Sequence, residues 1–169
     1  MTACGTTHGA LRSNGVVLSH VPFVSQDDFH CGPSALAMVI QYWDTKLKTG
    51  RNVSVDRIIQ DIYSPTARGV LGIDLERYAQ QLGFVTHQYS GNIDDIKQRI
   101  NDGIPLILLV DYGMSVYQQN HFIVTTGYTE RGIIVNSGRT HHDIIPEERL
   151  KKIWEKTGFW TLLIKPSSL

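Results

Sequence analysis

The chain has 169 residues, of which 41% are hydrophobic and 19% charged, a composition typical of one globular domain with an apolar core. Its sixteen basic and sixteen acidic residues cancel, so no excess of charge indicates a nucleic acid or an anionic membrane surface as a partner. The longest apolar runs, residues 104–110 and 35–40, are far shorter than the roughly 20 residues that a membrane-spanning helix needs. Composition therefore favours a neutral enzyme or binding domain.

Residues 1–19 are rich in Gly, Thr, Ser and Asn, which predicts a flexible tail or tether ahead of one domain over residues 20–169. A helix is predicted over residues 31–44, where Pro33 suits the first turn. This segment is apolar almost all round, so we expect a buried central helix.

The remaining elements divide the chain into two halves. Helices are predicted at residues 54–59, with Ser54 as the N-cap, at 73–82, at 92–101 and at 146–156, with a loop at 64–69 and one strand at 84–89. Strands dominate afterwards, at residues 105–111, 121–128, 132–135 and 158–165, and residues 129–132 form a hairpin turn. Helices followed by an antiparallel sheet predict an α+β fold.

Cys31 is a candidate nucleophile because it opens the central helix. A helix N-terminus and a nearby imidazolium both favour the thiolate form of a cysteine. The alternative is an inert thiol in the core, but the preceding residues 26–30 are mostly polar and place Cys31 where surface meets core. Gln26, five positions upstream, is a candidate donor to an oxyanion, together with the backbone N–H of Cys31.

His121 is the candidate general base because it opens a strand and would be held by a rigid sheet. Its ring needs an orienting carboxylate or carboxamide from a neighbouring strand. Asn136 ends the next predicted strand, and the hairpin turn between them predicts that Asn136 lies roughly opposite His121. Ser137 is a weaker candidate for the same role.

Only two cysteines, Cys4 and Cys31, are present, so the sequence predicts no disulfide framework. The run Thr2-Ala3-Cys4-Gly5 resembles the end of a bacterial lipoprotein signal, in which the cysteine is lipidated. On this interpretation the protein is periplasmic in the bacterial cell envelope and tethered to a membrane through Cys4. The alternative is a chance match in the tail of a cytoplasmic protein.

Two segments resemble the bacteriocin-processing, double-glycine leader peptidases, which are family thirty-nine of the cysteine peptidases. They run from residue 21 to 39, with Cys31-Gly32-Pro33-Ser34 at the helix start, and from His121 to Tyr128. Order and spacing match from residue 21 to about 165, closest to the stand-alone exported bacterial members. The resemblance implies a papain-like fold, with Gln26 as the oxyanion glutamine, Cys31 as the nucleophile and His121 as the base.

The third position departs from the family pattern, which usually has Asp followed by Pro where this chain has Asn136-Ser137-Gly138. An Asn carbonyl can still accept the imidazole N–H, although it stabilises an imidazolium less than a carboxylate does. The resemblance implies hydrolysis of a peptide bond after small residues such as Gly-Gly. Two alternatives remain, an acyl transferase that uses the same thiol and a degenerate member that only binds peptides.

Two other groups of residues give weaker indications of function. His141-His142-Asp143 suggests a metal site, but adjacent strand residues point to opposite faces and no second ligand pair has suitable spacing, so solvated loop histidines are the preferred interpretation. Residues 112–120 form a polar and aromatic loop before His121, which is either a substrate-binding loop or a plain connection. The sequence predicts a peptide or protein substrate, no nucleic acid, and no cofactor or metal.

Overall fold

The computed structural model describes residues 15–25, 30–64, 69–114 and 117–169. Cys4 and Gln26 lie outside the described residues, as do most of the predicted loop at 64–69 and two residues of the loop before His121. No helix in the part of the chain that the structure describes has the length and apolar character needed to cross a membrane.

The helices begin and end close to their predicted bounds because capping residues define their ends. Ser54 Oγ accepts a hydrogen bond from the N–H of Arg57 at 3.2 Å, and Asn92 Oδ1 accepts one from the N–H of Asp95 at 2.9 Å. The described helices are α1 (Cys31–Leu47), α2 (Val55–Ile62), α3 (Gly72–Gln81), α4 (Ile93–Asn101) and α5 (Glu147–Glu155).

All the strand pairs of the described sheet are antiparallel. Its strands are β1 (Val16–Val17), β2 (Phe84–Ser90), β3 (Leu106–Asp111), β4 (Asn120–Thr129), β5 (Gly132–Ser137), β6 (Thr140–Ile145) and β7 (Trp160–Pro166). The order is β2-β7-β3-β4-β5-β6, and β1 pairs with the far end of β4. Seven described strands thus form one sheet.

The central helix α1 is buried as predicted. Residues 35–40 are 0% exposed, and the helix packs against β4, β3 and β7. At its far end the indole N–H of Trp43 donates to the carbonyl of Ile164 on β7 at 2.9 Å. Each large apolar side chain buried in this way contributes about 1.5–3 kcal/mol, so α1 anchors its first turn firmly at one end of the sheet.

The predicted α+β architecture, with a buried central helix packed on an antiparallel sheet, is confirmed, and two details of the sheet differ from the prediction. Val16 and Val17 lie in the segment predicted as a tail, yet they pair with Tyr128 and Gly127, and Leu18 is buried. The sheet therefore begins before residue 20. A strand also forms at residues 140–145, where the sequence predicted a loop.

Candidate active site

Cys31 is the first residue of α1, directly after the N-cap residue His30, and is half-buried against the core. Pro33 has no N–H, and the N–H of Ser34 donates to the carbonyl of His30 at 3.0 Å. The helix geometry therefore directs the N–H groups of Cys31 and Gly32 out of the first turn, where partial positive charge favours an anion. The ring of Tyr63 lies 5.6 Å from the His30 ring.

The first turn of α1 meets β4 through Gly32. A Cβ placed on Gly32 would lie 3.4 Å from Cδ2 of Phe122 and 3.3 Å from Cβ of Val70. Cys31 and His121 are the chain neighbours of the two residues in this contact. The fold thus brings the candidate nucleophile and the strand of the candidate base to one place.

His121 is the second residue of β4 and pairs with Val110 of β3. The ring of Tyr112, two residues beyond Val110, lies 6.1 Å from the His121 ring and is tilted by 49°. A Cβ placed on Gly138, which has a positive φ of 56°, would lie 3.8 Å from Nε2 of His121. The chain just after β5 therefore faces this nitrogen.

Asn136 is not opposite His121, so that part of the prediction was wrong. The hairpin turn is tight, with Thr129 paired to Gly132, and after a β-bulge Asn136 pairs with Val124. The Asn136 side chain is fully buried: its amide N–H donates to the carbonyl of Pro22 at 3.3 Å. Its Oδ1 accepts from the N–H of His142 at 3.2 Å.

Met38 of α1 also contacts Asn136, with Nδ2 and Sδ 3.5 Å apart. Because successive strand side chains alternate between faces, Asn136 faces α1 and Ser137 points to the opposite face. The Ser137 hydroxyl lies 3.4 Å from the hydroxyl of Tyr112. Burial raises the pKa of Tyr112, and the hydrogen bond with Ser137 opposes that shift, so the phenol keeps its proton at neutral pH.

The loop before His121 is fixed at its base by Asp111. Its Oδ1 accepts hydrogen bonds from the N–H groups of Gly113 and Gln119, both at 2.7 Å. These two N–H donors hold the pKa of Asp111 below its ordinary value. Beyond this base the loop exposes Met114 and Tyr117, which are 83% and 74% exposed.

His141 and His142 lie on β6, not in a loop. Their ring centroids are 3.8 Å apart, because His142 adopts a positive φ of 53° at an irregularity in the strand and does not alternate regularly. Partial burial lowers the pKa of His142, and His141 lowers it further. Within residues 15–25, 30–64, 69–114 and 117–169, no group of three or more His, Cys, Asp or Glu could hold a metal ion.

The structure thus brings two of the predicted site residues together and separates a third from them. Cys31 and His121 lie at one junction of α1 and β4, while Asn136 is engaged on the α1 face. Gln26 lies outside the described residues. The prediction missed Tyr112 and Gly138 as neighbours of His121, and only the strand register could have found them.

Solved structures with the same fold are peptidase domains. A C39-like peptidase from Bacillus anthracis superposes with a TM-score of 0.73 at 17% identity, over 90% of this chain and 98% of that one. A double glycine motif protease from an AMS/PCAT transporter, solved with its leader peptide, has a TM-score of 0.67 at 22% identity over 90% and 99%. The peptidase domain of Streptococcus ComA, a bifunctional ABC transporter, has a TM-score of 0.66 at 20% identity over 88% and 100%.

None of the curated proteins compared with the chain is significantly similar to it in sequence. The model of the Peptidase_C39 like family, by contrast, matches residues 18–161, which is most of the chain. The chain therefore belongs to the Peptidase_C39 like family and is a cysteine peptidase with a papain-like fold.

Proposed function

We propose that the chain hydrolyses peptide bonds with Cys31 as the nucleophile and His121 as the general base. The observation that carries the proposal is the position of Cys31 at the N-terminus of α1, whose first turn packs on β4 beside His121. Cys31 is also the cysteine that the described residues contain, and a cysteine peptidase needs one thiol as its nucleophile.

The reaction starts with transfer of the Cys31 proton to His121, which leaves a thiolate next to the positive end of the α1 dipole. The sulfur attacks the peptide carbonyl, and the N–H of Cys31 together with the predicted donor Gln26 stabilises the oxyanion. His121 then gives its proton to the leaving amine as the C–N bond breaks. Water, deprotonated by His121, attacks the thioester, releases the carboxyl product and restores the thiol.

The proposed substrate is a peptide with small residues before the cleaved bond, such as Gly-Gly. The proposal is supported by a protease of the same fold that was solved with its leader peptide and whose name specifies a double glycine motif. The exposed Met114 and Tyr117, at the loop that leads into His121, would supply apolar contacts to such a peptide.

Peptide cleavage by single-cysteine variants tests the proposal. Cys31→Ser should lower the rate of hydrolysis of a Gly-Gly leader peptide at least about 100-fold, because a hydroxyl is a far weaker nucleophile than a thiolate. Cys4→Ser is the matched control and should cleave like the wild type. Cleavage by Cys31→Ser at the wild-type rate would refute the assignment, and products carrying an added amine instead of water would indicate acyl transfer.

Export and lipid attachment through Cys4 form a separate proposal, supported by the run Thr2-Ala3-Cys4-Gly5. The mass of the mature protein isolated from its native cells tests it. A diacylated N-terminal Cys4 is the expected result, and an unmodified chain that still carries Met1 would contradict it.

A further inference from the structure

One face of the sheet carries a polar pair beside the candidate base. Val110 of β3 is the partner of His121, and Tyr112 follows two residues later, just after the end of that strand. The ring centroids of Tyr112 and His121 are 6.1 Å apart, so these two side chains are neighbours. Nε2 of His121 faces Gly138, and the preceding residue Ser137 contacts the Tyr112 hydroxyl at 3.4 Å.

The strand register assigns Ser137 and Asn136 to different faces. Asn136 pairs with Val124, whereas Ser137 is the last residue of β5 and directly precedes Gly138, the residue that faces Nε2 of His121. A residue opposite Val124 instead points to the face of α1, where the Asn136 amide already bonds to the carbonyl of Pro22.

We propose that Ser137, with its hydroxyl held by Tyr112, is the positioning residue of His121. The inference rests on the proposed function of Cys31 and His121. Either hydroxyl of this pair can donate; in the proposed arrangement Tyr112 donates to Ser137 Oγ, which keeps a lone pair for the Nε2–H of His121. That hydrogen bond fixes the tautomer and leaves Nδ1 to exchange the proton of Cys31.

A neutral hydroxyl pair has a chemical consequence at this position. An opposite charge beside an imidazolium favours the charged form, whereas a hydroxyl supplies only a hydrogen bond. The charged groups that act on Tyr112 are Asp143 on β6 and Arg149 on α5, and they act in opposite directions. The imidazolium of His121 is therefore less stabilised here than it would be beside a carboxylate, and Ser137→Asp should strengthen it.

Alkylation of Cys31 by iodoacetamide tests this without a known substrate. The rate constant is followed from pH 4 to pH 10 by mass spectrometry of the Cys31 peptide, which separates it from Cys4. Ser137→Ala and Tyr112→Phe should each lower the rate at pH 7 about 3- to 10-fold, the weight of one oriented hydrogen bond. The double variant should be no slower than Ser137→Ala, because Tyr112 acts through Ser137.

Two further variants give results that a purely structural role would not produce. Ser137→Thr keeps the hydroxyl and should alkylate like the wild type. Ser137→Asp should move the alkaline limb of the rate profile, where the imidazolium proton is lost, to higher pH by about one unit.

The inference is overturned if folded Ser137→Ala and Tyr112→Phe match the wild type at every pH, or if Ser137→Asp leaves the alkaline limb in place. Failure of the proposed function looks different. In that case wild-type Cys31 itself reacts no faster than a free thiol, with or without the His121 ring, and both proposals fall.

Discussion

Replacing Asn136 by Ala separates a structural role for this residue from an orienting one. The substitution removes the acceptor for the N–H of His142 and the donor to the carbonyl of Pro22. His142 is exposed and Pro22 is half-buried, but the Asn136 side chain that joins their backbones is fully buried. One unsatisfied buried group and one lost hydrogen bond together cost about 3 kcal/mol. For a chain of this length that corresponds to a decrease in Tm on the order of 10 °C.

The assay combines urea denaturation with the alkylation rate of Cys31 at a temperature where the variant is folded. We expect the free energy of unfolding to fall while the rate constant stays within about twofold of the wild type. Thr125→Val is the matched control, since Thr125 Oγ1 accepts from the buried N–H of Leu106 at 3.0 Å and, as the neighbour of Val124, points to the face of the sheet away from α1. A folded Asn136→Ala variant whose Cys31 alkylates more than tenfold slower would refute the reasoning and return the orienting role to Asn136.

Two more predictions concern Asp111, at the base of the loop before His121, and Gly72, the first residue of α3. Asp111 accepts hydrogen bonds from the N–H groups of Gly113 and Gln119, which lower its pKa in the folded state. These hydrogen bonds therefore stabilise the fold fully above the ordinary Asp pKa of about 4. Their contribution is lost as the pH falls through the folded-state pKa. Urea denaturation should therefore show a larger loss of stability between pH 5 and pH 3 in the wild type than in Asp111→Asn, and equal losses would contradict this origin. A Cβ on Gly72 would lie 2.3 Å from Cζ2 of Trp160, so Gly72→Ala should displace the indole and lower the free energy of unfolding by about 1–3 kcal/mol. A variant with unchanged Tm and unchanged Trp fluorescence would show that the contact is not tight.

Local sequence patterns determined the helices well. The apolar run at residues 35–40 predicted a buried α1 because a helix that is apolar all round has no face to expose. Ser54 and Asn92 predicted helix starts because their side chains satisfy N–H groups of the first turn. The Cys31 position followed from the same local rules.

Long-range register was predicted less well, because one residue of slip moves every side chain to the other face. The bulge between Thr125 and Gly127 shifts the pairing of β4 with β5, and nothing in the sequence marks it. The tight turn, with Thr129 paired to Gly132, already places Asn136 opposite Thr125 and not His121, and the bulge moves its partner by one residue to Val124. For the same reason the sequence did not show that Tyr112 approaches His121.

Strand β6 was missed because it lies at an edge of the sheet and is mostly exposed. Its first four residues, Thr140-His141-His142-Asp143, are polar, so no alternation of apolar residues reveals a strand. Pairing with β5 holds residues 140–145 as a strand although their composition does not predict one.

The central claim, that Cys31 and His121 act as one nucleophilic pair, is tested most directly by the alkylation rate of Cys31 at pH 6. A free thiol with a pKa of about 8.5 is less than about 1% thiolate at this pH. We predict that Cys31 of the wild type reacts with iodoacetamide at least about tenfold faster than free cysteine, and that His121→Ala removes this advantage. A Cys31 rate equal to that of free cysteine, unchanged by His121→Ala, would contradict the account.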